Sequence, residues 1–531
     1  MAKKKVLDCT LRDGGYINNW NFGREIIKDI IYKLVISRVD YIEIGFLRDC
    51  NYCSDVTLFN NISEAKNILP EVHGSTKFVL MALHNQYDIS KLEKCDNKSI
   101  EMIRVTFHDY DVDEGLEFCA KVIEKGYKCF CNPINIMGYS DEKFLILLEK
   151  INKLNPYGFS IVDTFGSMMK HDLMRVYSLV EHNLNKNIIV GLHLHENLSL
   201  SYSLAQEFMQ ICLNDRNTII DGSLLGMGRV PGNLCIELLM DYMNRCYTKN
   251  YYLDSMLDAI DEYILPIKEK TPWGYSIEYA LSAKNNVHRN YAEYLINKEK
   301  LCARDINTLL SQIENGKKSA FDKEYIEKLY QEYLDVKVDD KENLKYIQKK
   351  LIDRKTLILA PGKSINENYE KIIKYIDENN AFVIAANFND YRFSINSIFF
   401  SNLRRYEKYL DKKNTDEIWI TSNLIKANLR KEKYIFNFYD LAFDGTTIND
   451  NSVIMLLKLL CKIGIKDVVI AGMDGYTDKN DYVRNYYNNK RKNLKEIEEH
   501  NSLLEASIAQ LRKNMNIQFI TESMYDRRNH E

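Results

Sequence analysis

The sequence lacks the features that would indicate a nucleic-acid-binding or membrane-spanning protein. The formal net charge is only -3 over 531 residues, so no overall basic charge would attract nucleic acid or an anionic membrane. No stretch reaches the ~18 consecutive apolar residues that a spanning helix requires, and the most apolar run, Val453–Ile465, contains two lysines. Charged residues at positions 8, 12 and 13 interrupt any signal-peptide core, so we expect a cytoplasmic protein without a membrane span.

Several common sequence signatures are also absent or incomplete. The twelve cysteines are scattered rather than arranged as a disulfide framework, which favours reduced thiols. Cys50 and Cys53 form one isolated Cys-x-x-Cys motif, for which free thiols are a better interpretation than a zinc or redox site. The second half of the chain has no Gly-x-Gly-x-x-Gly motif, and its Gly362-Lys363-Ser364 lacks the upstream glycine of a Walker A loop.

What the sequence does contain is a regular alternation of apolar β-rich runs and helical segments over its first 290 residues. The eight predicted strands are Val6–Leu11, Tyr41–Phe46, Lys77–Leu83, Met102–Phe107, Lys128–Ile134, Gly158–Asp163, Ile188–His195 and Thr218–Leu225. Eight β/α units in about 250 residues are typical of a TIM (β/α)8 barrel. An open doubly wound sheet is the alternative, although it gives no reason for eight near-regular units.

Polar and ionisable residues cluster at the carboxyl ends of these predicted strands, where parallel α/β folds carry their active sites. The cluster comprises Arg12, Asp13, Glu43, His84, His108, Asp163, Thr164, His193, His195 and Ser223. Packing alone does not explain such clustering at one end of otherwise apolar strands. We therefore predict an active site at this rim, with Asp163, Thr164 and Ser223 in substrate binding.

Two histidines in this cluster indicate a metal site. His193 and His195 are two residues apart on one strand, so their side chains point to the same face with Cβ atoms ~7 Å apart. In a closed barrel, Asp13 approaches them from strand 1 across a single intervening strand. Two histidines and a carboxylate suit a divalent ion, with Mn²⁺ or Mg²⁺ favoured and Zn²⁺ as the alternative. A structural Asp8–Arg12 ion pair and two histidines satisfied by local hydrogen bonds remain open.

Three stretches together resemble the DRE-TIM metallolyases: Leu11-Arg12-Asp13-Gly14, Val190–Asn197 and Gly226–Asn233. This superfamily includes 4-hydroxy-2-oxovalerate aldolase, hydroxymethylglutaryl-CoA lyase and the isopropylmalate and homocitrate synthases. The resemblance covers about residues 5–290. The resemblance implies a TIM barrel that holds a divalent metal. It implies that Asp13, His193 and His195 are metal ligands and that Asn233 is a further ligand or supporting group. It also implies that Glu43 lies near the metal and that Arg12 steadies an enolate.

These parts support making or breaking a carbon–carbon bond next to a carbonyl, with a 2-oxo acid and an aldehyde as small-molecule partners. A bound metal acts as a Lewis acid, and Arg12 adds positive charge where the enolate oxygen develops. The pattern breaks at Tyr16, where aldolases of this family have histidine, and tyrosine with a pKa of ~10 is a poor general base. We therefore predict that His108 or His84 is the base and that Tyr16 orients the substrate.

Two other functions stay open. One is Claisen chemistry with an acyl-CoA, as in other members of the superfamily, although no CoA-binding signature is recognisable. The other is a glycosyltransferase-like protein whose barrel is only a scaffold, and the presence of Arg12, Asp13, His193 and His195 argues against it.

The chain is predicted to continue beyond the barrel (1–290) with a helical connector (291–350) and a Rossmann-like three-layer α/β domain (351–531). The candidate nucleotide-binding residues of that last domain lie in two glycine-containing turns: Gly362, Lys363, Ser364, Gly472 and Asp474. The two turns resemble those of sialyltransferase-like and motility-accessory glycosyltransferase domains, which implies a nucleotide or nucleotide-sugar ligand. The sequence leaves oligomerisation open.

Overall fold

Two parallel β-sheets organise this computed structural model, which describes residues 3–212, 216–298, 301, 303–334, 336–410, 417–427, 432–442, 451–477 and 494–526. The strands are β1 Lys4–Asp8, β2 Tyr41–Leu47, β3 Leu58–Phe59, β4 Lys77–Leu83, β5 Ile100–Phe107, β6 Lys128–Pro133, β7 Gly158–Asp163, β8 Ile189–Leu194, β9 Thr218–Gly222, β10 Thr356–Leu359, β11 Phe382–Ala386, β12 Ser397–Phe400, β13 Glu417–Thr421, β14 Tyr434–Phe436, β15 Asp467–Ala471 and β16 Asn516–Phe519.

The α-helices follow and separate these strands. They are α1 Gly15–Asn18, α2 Arg24–Ile36, α3 Ile62–Lys66, α4 Val112–Glu124, α5 Asp141–Leu154, α6 Lys170–Asn183, α7 Ser201–Ile211, α8 Ile236–Cys246, α9 Asp254–Ala259, α10 Leu265–Lys270, α11 Ile277–Lys284, α12 Asn290–Ile296, α13 Ala303–Ser311, α14 Lys323–Leu334, α15 Lys341–Leu351, α16 Ser364–Glu367, α17 Tyr369–Asn379, α18 Leu403–Leu410, α19 Phe438–Ala442, α20 Ser452–Lys462 and α21 Leu494–Leu511.

The chain divides into two compact units. One comprises Met1–Glu293 with Ile313–Phe321, and the other comprises Tyr294–Gln312 with Asp322–Glu531. The three-part division expected from the sequence, at residues 290 and 350, stays a prediction. Within the described residues, no helix is both long enough and apolar enough to cross a bilayer.

The first unit is built on the predicted barrel. Within the described residues, eight parallel strands run in the order β1-β9-β8-β7-β6-β5-β4-β2, and β1 also pairs with β2, for example Leu7 with Tyr41. That last pairing closes the sheet and rules out the open doubly wound alternative. The two-residue strand β3 pairs in parallel with the carboxyl end of β2. All eight predicted strands are confirmed, and one strand, β9, separates β1 from β8 as expected.

The barrel has a packed interior, so its chemistry is left to the rim. Leu7, Tyr41, Met102, Phe130 and Ile189 are among the buried side chains that pack as one cluster. A larger apolar cluster joins the outer face of the strands to the helices. In α2, for example, the residues at positions 27, 30, 31 and 34 are fully buried, which is the three- and four-residue spacing of one helix face.

The second unit contains a separate parallel sheet. Among its described residues, seven strands follow the order β14-β13-β12-β11-β10-β15-β16. The chain therefore reverses its direction of winding between β10 and β15, and ligands of open α/β sheets bind outside the carboxyl ends of strands at such a point. The apolar runs of the sequence predicted five of these strands, β10, β11, β13, β14 and β15, and missed β12 and β16.

Asp8 at the end of β1 is fully buried and does not form the ion pair considered from the sequence. Its carboxylate accepts hydrogen bonds from the Thr10 amide at 3.0 Å and the Thr10 hydroxyl at 2.8 Å, and Arg12 bonds elsewhere. Burial outweighs these hydrogen bonds and raises the pKa of Asp8 to about 7. Because the folded protein holds this proton more tightly than the unfolded chain, the free energy of unfolding decreases as the pH rises from about 4 to about 7.

We expect Asp8→Asn to be more stable relative to wild type at pH 8 than at pH 5. The gap should open between about pH 4 and pH 7 and then stay constant, with an upper limit of about 4 kcal/mol. Urea denaturation at several pH values measures the gap, with Glu25→Gln at an exposed position of α2 as the control. A gap that is the same at pH 5 and pH 8 would contradict the shifted pKa.

Candidate metal centre and active site

Three buried donor groups converge at the carboxyl rim of the barrel. Asp13 Oδ2 lies 3.9 Å from His193 Nε2 and 3.8 Å from His195 Nε2. One donor atom from each of the three residues falls within 4.8 Å of the others. The turn after β1 supplies the carboxylate and β8 supplies the first histidine, with the second immediately after it. Closure of the barrel therefore brings together residues that are 180 or more positions apart.

Hydrogen bonds on the far side of each imidazole determine which nitrogen faces Asp13. His193 Nδ1 lies 3.0 Å from Asp221 Oδ2, and His195 Nδ1 lies 2.9 Å from the backbone oxygen of Asp163. With Nδ1 of both rings engaged by acceptors, the Nε2 lone pairs are directed toward the carboxylate. Burial, followed by the charge of His193, lowers the pKa of His195 to about 4. The second imidazole is therefore neutral at physiological pH, as a metal ligand must be.

The state of the carboxylate and of a nearby amide fits a divalent cation. Although burial alone would raise it, the pKa of Asp13 is held well below its usual value by Arg12 and the two histidines. Among the described residues, Asp13 Oδ2 and Asn233 Oδ1 are buried acceptors without a hydrogen-bond donor. Asn233 donates its Nδ2 to the Met227 oxygen at 3.2 Å, and a backbone bridge places it beside His195. A cation would satisfy both oxygens.

A chain of buried charges supports these donors. The Arg12 guanidinium donates from Nη1 to Asp13 at 2.8 Å and from Nε to Glu43 at 2.7 Å. Arg104 donates to both Glu43 and Asp221, and Asp221 bonds to His193. Arg12 thus has its plane fixed beside the carboxylate, and its role in steadying an enolate stays a prediction. The pairing of Asp221 with His193 was not predicted from the sequence.

Tyr16 lies at the start of α1, on an aromatic group of three side chains. Its ring is 4.7 Å from that of Trp20 and 6.3 Å from that of Phe46. The Trp20 Nε1 donates to the Arg12 oxygen at 2.7 Å, which ties the group to the metal-site turn. A Cβ at Gly15 would lie 2.0 Å from the Trp20 ring, so only glycine fits there. Partial desolvation and the charge of Asp13 raise the pKa of Tyr16, which disfavours it as a base.

The two histidines predicted as the base share one carboxylate. His84 Nε2 lies 3.5 Å and His108 Nδ1 lies 3.3 Å from Asp111 Oδ2. The His108 ring also stacks on Tyr110 at 4.7 Å. Asp111 follows the same strand as His108, but no sequence pattern had assigned it a role. The choice between the two histidines stays a prediction.

The three predicted substrate-binding residues all lie at the rim, but two of them have protein partners. The Asp163 carboxylate accepts hydrogen bonds from the amides of Ser167 and Met168 at 2.9 and 3.2 Å, and burial raises its pKa to about 7. Thr164 Oγ1 accepts a hydrogen bond from the backbone amide of Asn135 at 2.7 Å. The Ser223 hydroxyl is buried and has no hydrogen-bond partner within the described ranges. Their contact with substrate stays a prediction.

A second group of metal-ligand type lies outside this rim. The thiols of Cys119, Cys129 and Cys131 are buried, and their sulfur atoms lie within 4.8 Å of one another. They belong to the apolar layer between α4 and β6. This cluster could not be predicted from the spacing of the cysteines along the chain, because one of the three comes from the neighbouring helix.

The nucleotide-binding candidates of the second unit come together where the winding of its sheet reverses. The Gly362 amide donates to the Gly472 oxygen at 2.8 Å, and a Cβ at Gly362 would lie 2.3 Å from that oxygen. The Ser364 amide donates to the Asp474 carboxylate at 2.9 Å, as does its hydroxyl. Lys363 is exposed. The two turns predicted from separate stretches of sequence therefore form one structure.

The first unit is thus a (β/α)8 barrel with a candidate divalent-metal centre at its carboxyl rim. Residues 3–261 match the family model described as HMGL-like, and this N-terminal half is a member of that DRE-TIM group. The 4-hydroxy-2-oxovalerate aldolase of Geobacillus thermodenitrificans is 24% identical over 268 residues, covering 49% of this chain and 76% of the aldolase. That of Pectobacterium atrosepticum is 26% identical over 280 residues, covering 49% and 76%.

Solved structures give a looser match. The HMG-CoA lyase of Bacillus subtilis is 16% identical with a TM-score of 0.40, covering 51% of this chain and 94% of the lyase.

We expect one Mn²⁺ ion to bind per chain and Asp13→Asn to abolish this binding, because the variant removes the only charged donor of the three. Asp221→Asn should weaken binding about 10- to 100-fold, since it leaves His193 without its orienting partner. The electron paramagnetic resonance signal of free Mn²⁺ measures both effects. Asp258→Asn on α9 is the matched surface control. Equal binding by wild type and Asp13→Asn would show that the ion is held elsewhere.

Proposed function

We propose that the barrel is a divalent-metal-dependent carbon–carbon lyase or aldolase that acts next to the carbonyl of a 2-oxo acid. The observation that carries the proposal is the convergence of Asp13, His193 and His195 with Arg12 held alongside. The relatives named as aldolases support the same reaction class. By the chemistry of its donors, the centre would take Mn²⁺ or Mg²⁺, with Zn²⁺ as the alternative. When bound, the ion would supply Lewis-acid polarisation of the substrate carbonyl.

Arg12 is proposed to stabilise the negative charge that develops on the enolate oxygen. Its guanidinium is held by Asp13 and Glu43, so it needs no reorientation during the reaction. In cleavage, a base takes the proton from the hydroxyl two carbons from the carbonyl. The bond between the hydroxyl-bearing carbon and the carbon next to the carbonyl then breaks. Its electron pair forms the enolate, and the hydroxyl-bearing carbon leaves as an aldehyde. Protonation of the enolate carbon completes the release of the 2-oxo acid.

His108, or alternatively His84, is proposed to take the hydroxyl proton. What supports this proposal is their shared partner Asp111, which would orient whichever ring acts and stabilise its protonated form. Tyr16 is proposed to orient the aldehyde portion of the substrate with its ring, which packs edge to face against Trp20.

We expect the wild-type protein with Mn²⁺ to exchange the methyl protons of pyruvate with deuterated solvent, because enolate formation makes them labile. Asp13→Asn should lose this exchange and Arg12→Lys should slow it about 100-fold or more. Proton NMR of pyruvate measures the rate. The Asp258→Asn variant serves again as the control.

Pyruvate release from 4-hydroxy-2-oxo acids in the same samples tests the base, and His108→Ala should slow it by about 100-fold or more. Unchanged release would transfer the role to His84. If wild-type protein that is folded and loaded with Mn²⁺ shows no exchange at all, the lyase proposal is wrong. A barrel that serves only as a scaffold then becomes the better explanation.

For the second unit, we propose a nucleotide or nucleotide-sugar site at the carboxyl ends of its strands. What supports it is the pairing of the Gly362 and Gly472 turns where the winding reverses.

We expect at least one nucleotide sugar in a thermal-shift panel to raise the melting temperature, because a ligand that binds only the folded state stabilises it. Lys363→Ala should weaken this ligand about tenfold through the loss of a phosphate contact, whereas Lys371→Ala, exposed on α17, should not. A panel without any shift would leave this site without support.

A further inference from the structure

Two arginines flank the aromatic group at the barrel mouth. Arg229 Cζ lies 5.7 Å from the centre of the Tyr16 ring. Arg48 Cζ lies 5.2 Å from the centre of the Trp20 ring and 5.5 Å from that of Phe46. The three rings pack on one another, so the two guanidinium groups lie over one continuous aromatic surface. Tyr16, which contributes to this surface, follows the metal-site residue Asp13 by three positions in the chain.

Neither arginine has a carboxylate partner within the described ranges of the chain. Arg229 Nη2 donates to the Asn290 amide oxygen at 3.0 Å, and Arg48 Nη2 donates to that of Gln86. Both acceptors are neutral and both arginines are only half-buried. Other guanidinium groups near the rim are paired: Arg12 and Arg104 bond to buried carboxylates, and Arg289 bonds to Glu293. Arg48 and Arg229 therefore carry positive charge that the protein itself does not neutralise.

The electrostatics near Arg229 agree with this excess of positive charge. Burial, followed by the charges of Arg229 and Arg289, lowers the pKa of His288 to about 3. Burial and then Arg229 lower the pKa of Arg289 to about 10. Asp13 acts on Tyr16 and Arg289 as well, but its carboxylate is engaged by Arg12 and faces the histidines. An anion placed between these cations would relieve their repulsion.

There is also room for a ligand beside Arg48. A cavity of about 550 Å³ is lined by Arg48, the predicted base His84 and the 85–88 segment. The two carboxylates that line it are already engaged, since Asp49 pairs with Lys91 at 2.7 Å and Asp88 accepts the Ser90 amide. The lining therefore leaves Arg48 available to an anionic ligand.

We infer that the aldehyde portion of the substrate carries a second anionic group, a carboxylate or a phosphate, and that Arg48 and Arg229 bind it. This inference rests on the aldol function proposed for the barrel. The carboxylate of the 2-oxo acid belongs beside Arg12 and the metal centre, so the anion recognised further out must come from the other reactant. Tyr16 provides an apolar surface for the carbon chain between the two charged ends. Guanidinium groups bind either anion through paired hydrogen bonds.

In the addition direction, the enolate carbon bonds to the aldehyde carbon, and the aldehyde oxygen takes a proton to become a hydroxyl group. No oxidant or further reactant is needed. Arg48 and Arg229 are thus specificity-determining residues, and they should act on the choice of aldehyde.

The test compares kcat/KM for matched pairs of aldehydes with pyruvate and Mn²⁺. The pairs are succinic semialdehyde with pentanal, and glyceraldehyde 3-phosphate with glyceraldehyde. We expect wild type to prefer the anionic member of at least one pair by about tenfold or more, and the pair identifies the anion. Arg229→Gln and Arg48→Gln should each remove most of this preference, because each variant loses a charged hydrogen bond to the anion. Arg229→Lys should restore part of it, and Arg245→Gln on α8 is the surface control.

Exchange of pyruvate protons in the same samples separates the two levels of the proposal. If wild type exchanges protons but turns over neutral and anionic aldehydes equally, or reacts with no anionic aldehyde, the second anion is wrong and the lyase proposal stands. A preference that survives both glutamine variants also overturns the assignment to these arginines. Absence of exchange by wild type overturns the lyase proposal and this inference with it.

Discussion

The barrel rim depends on one buried chain of charges that runs from Asp13 through Arg12, Glu43, Arg104 and Asp221 to His193. Consecutive members are joined by hydrogen bonds. Charges removed from water are tolerated only when they are paired, and removing one partner from a buried pair typically costs about 3–5 kcal/mol. Because its members come from β2, β5, β8 and β9 and from the turn after β1, the chain of charges couples the position of the donors to the closure of the barrel.

This arrangement keeps the donor atoms of the three residues directed toward one another. Asp221 and the backbone at Asp163 hold the two imidazole rings, and Arg12 holds the carboxylate. The ligand side chains are therefore already oriented in the folded protein. Such preorganisation is the usual basis of strong electrostatic stabilisation in catalysis. The outer part of the mouth differs, since its arginines lie on aromatic rings and neutral amides rather than on carboxylates.

The two sheets share one organising rule, because parallel strands place their connecting loops at the carboxyl edge. In the first sheet, closure makes that edge a ring around a single centre. In the second, the edge opens where the winding reverses between β10 and β15, and the Gly362 and Gly472 turns pair there. The HMGL-like match covers residues 3–261, so the second sheet has to be interpreted from its own geometry.

The sequence by itself determined the eight barrel strands, the rim on which polar residues gather, and the Asp13, His193 and His195 donors, because strand periodicity and strand ends are local properties of the chain. Tertiary structure alone decided which side chains meet: Asp221 with His193, Asp111 with two histidines, and three cysteines from a strand and a helix. It also decided that Arg48 and Arg229 lie against the aromatic group of Tyr16, Trp20 and Phe46. These contacts depend on register and barrel closure, which join residues far apart in the chain and leave no periodic signal in either segment.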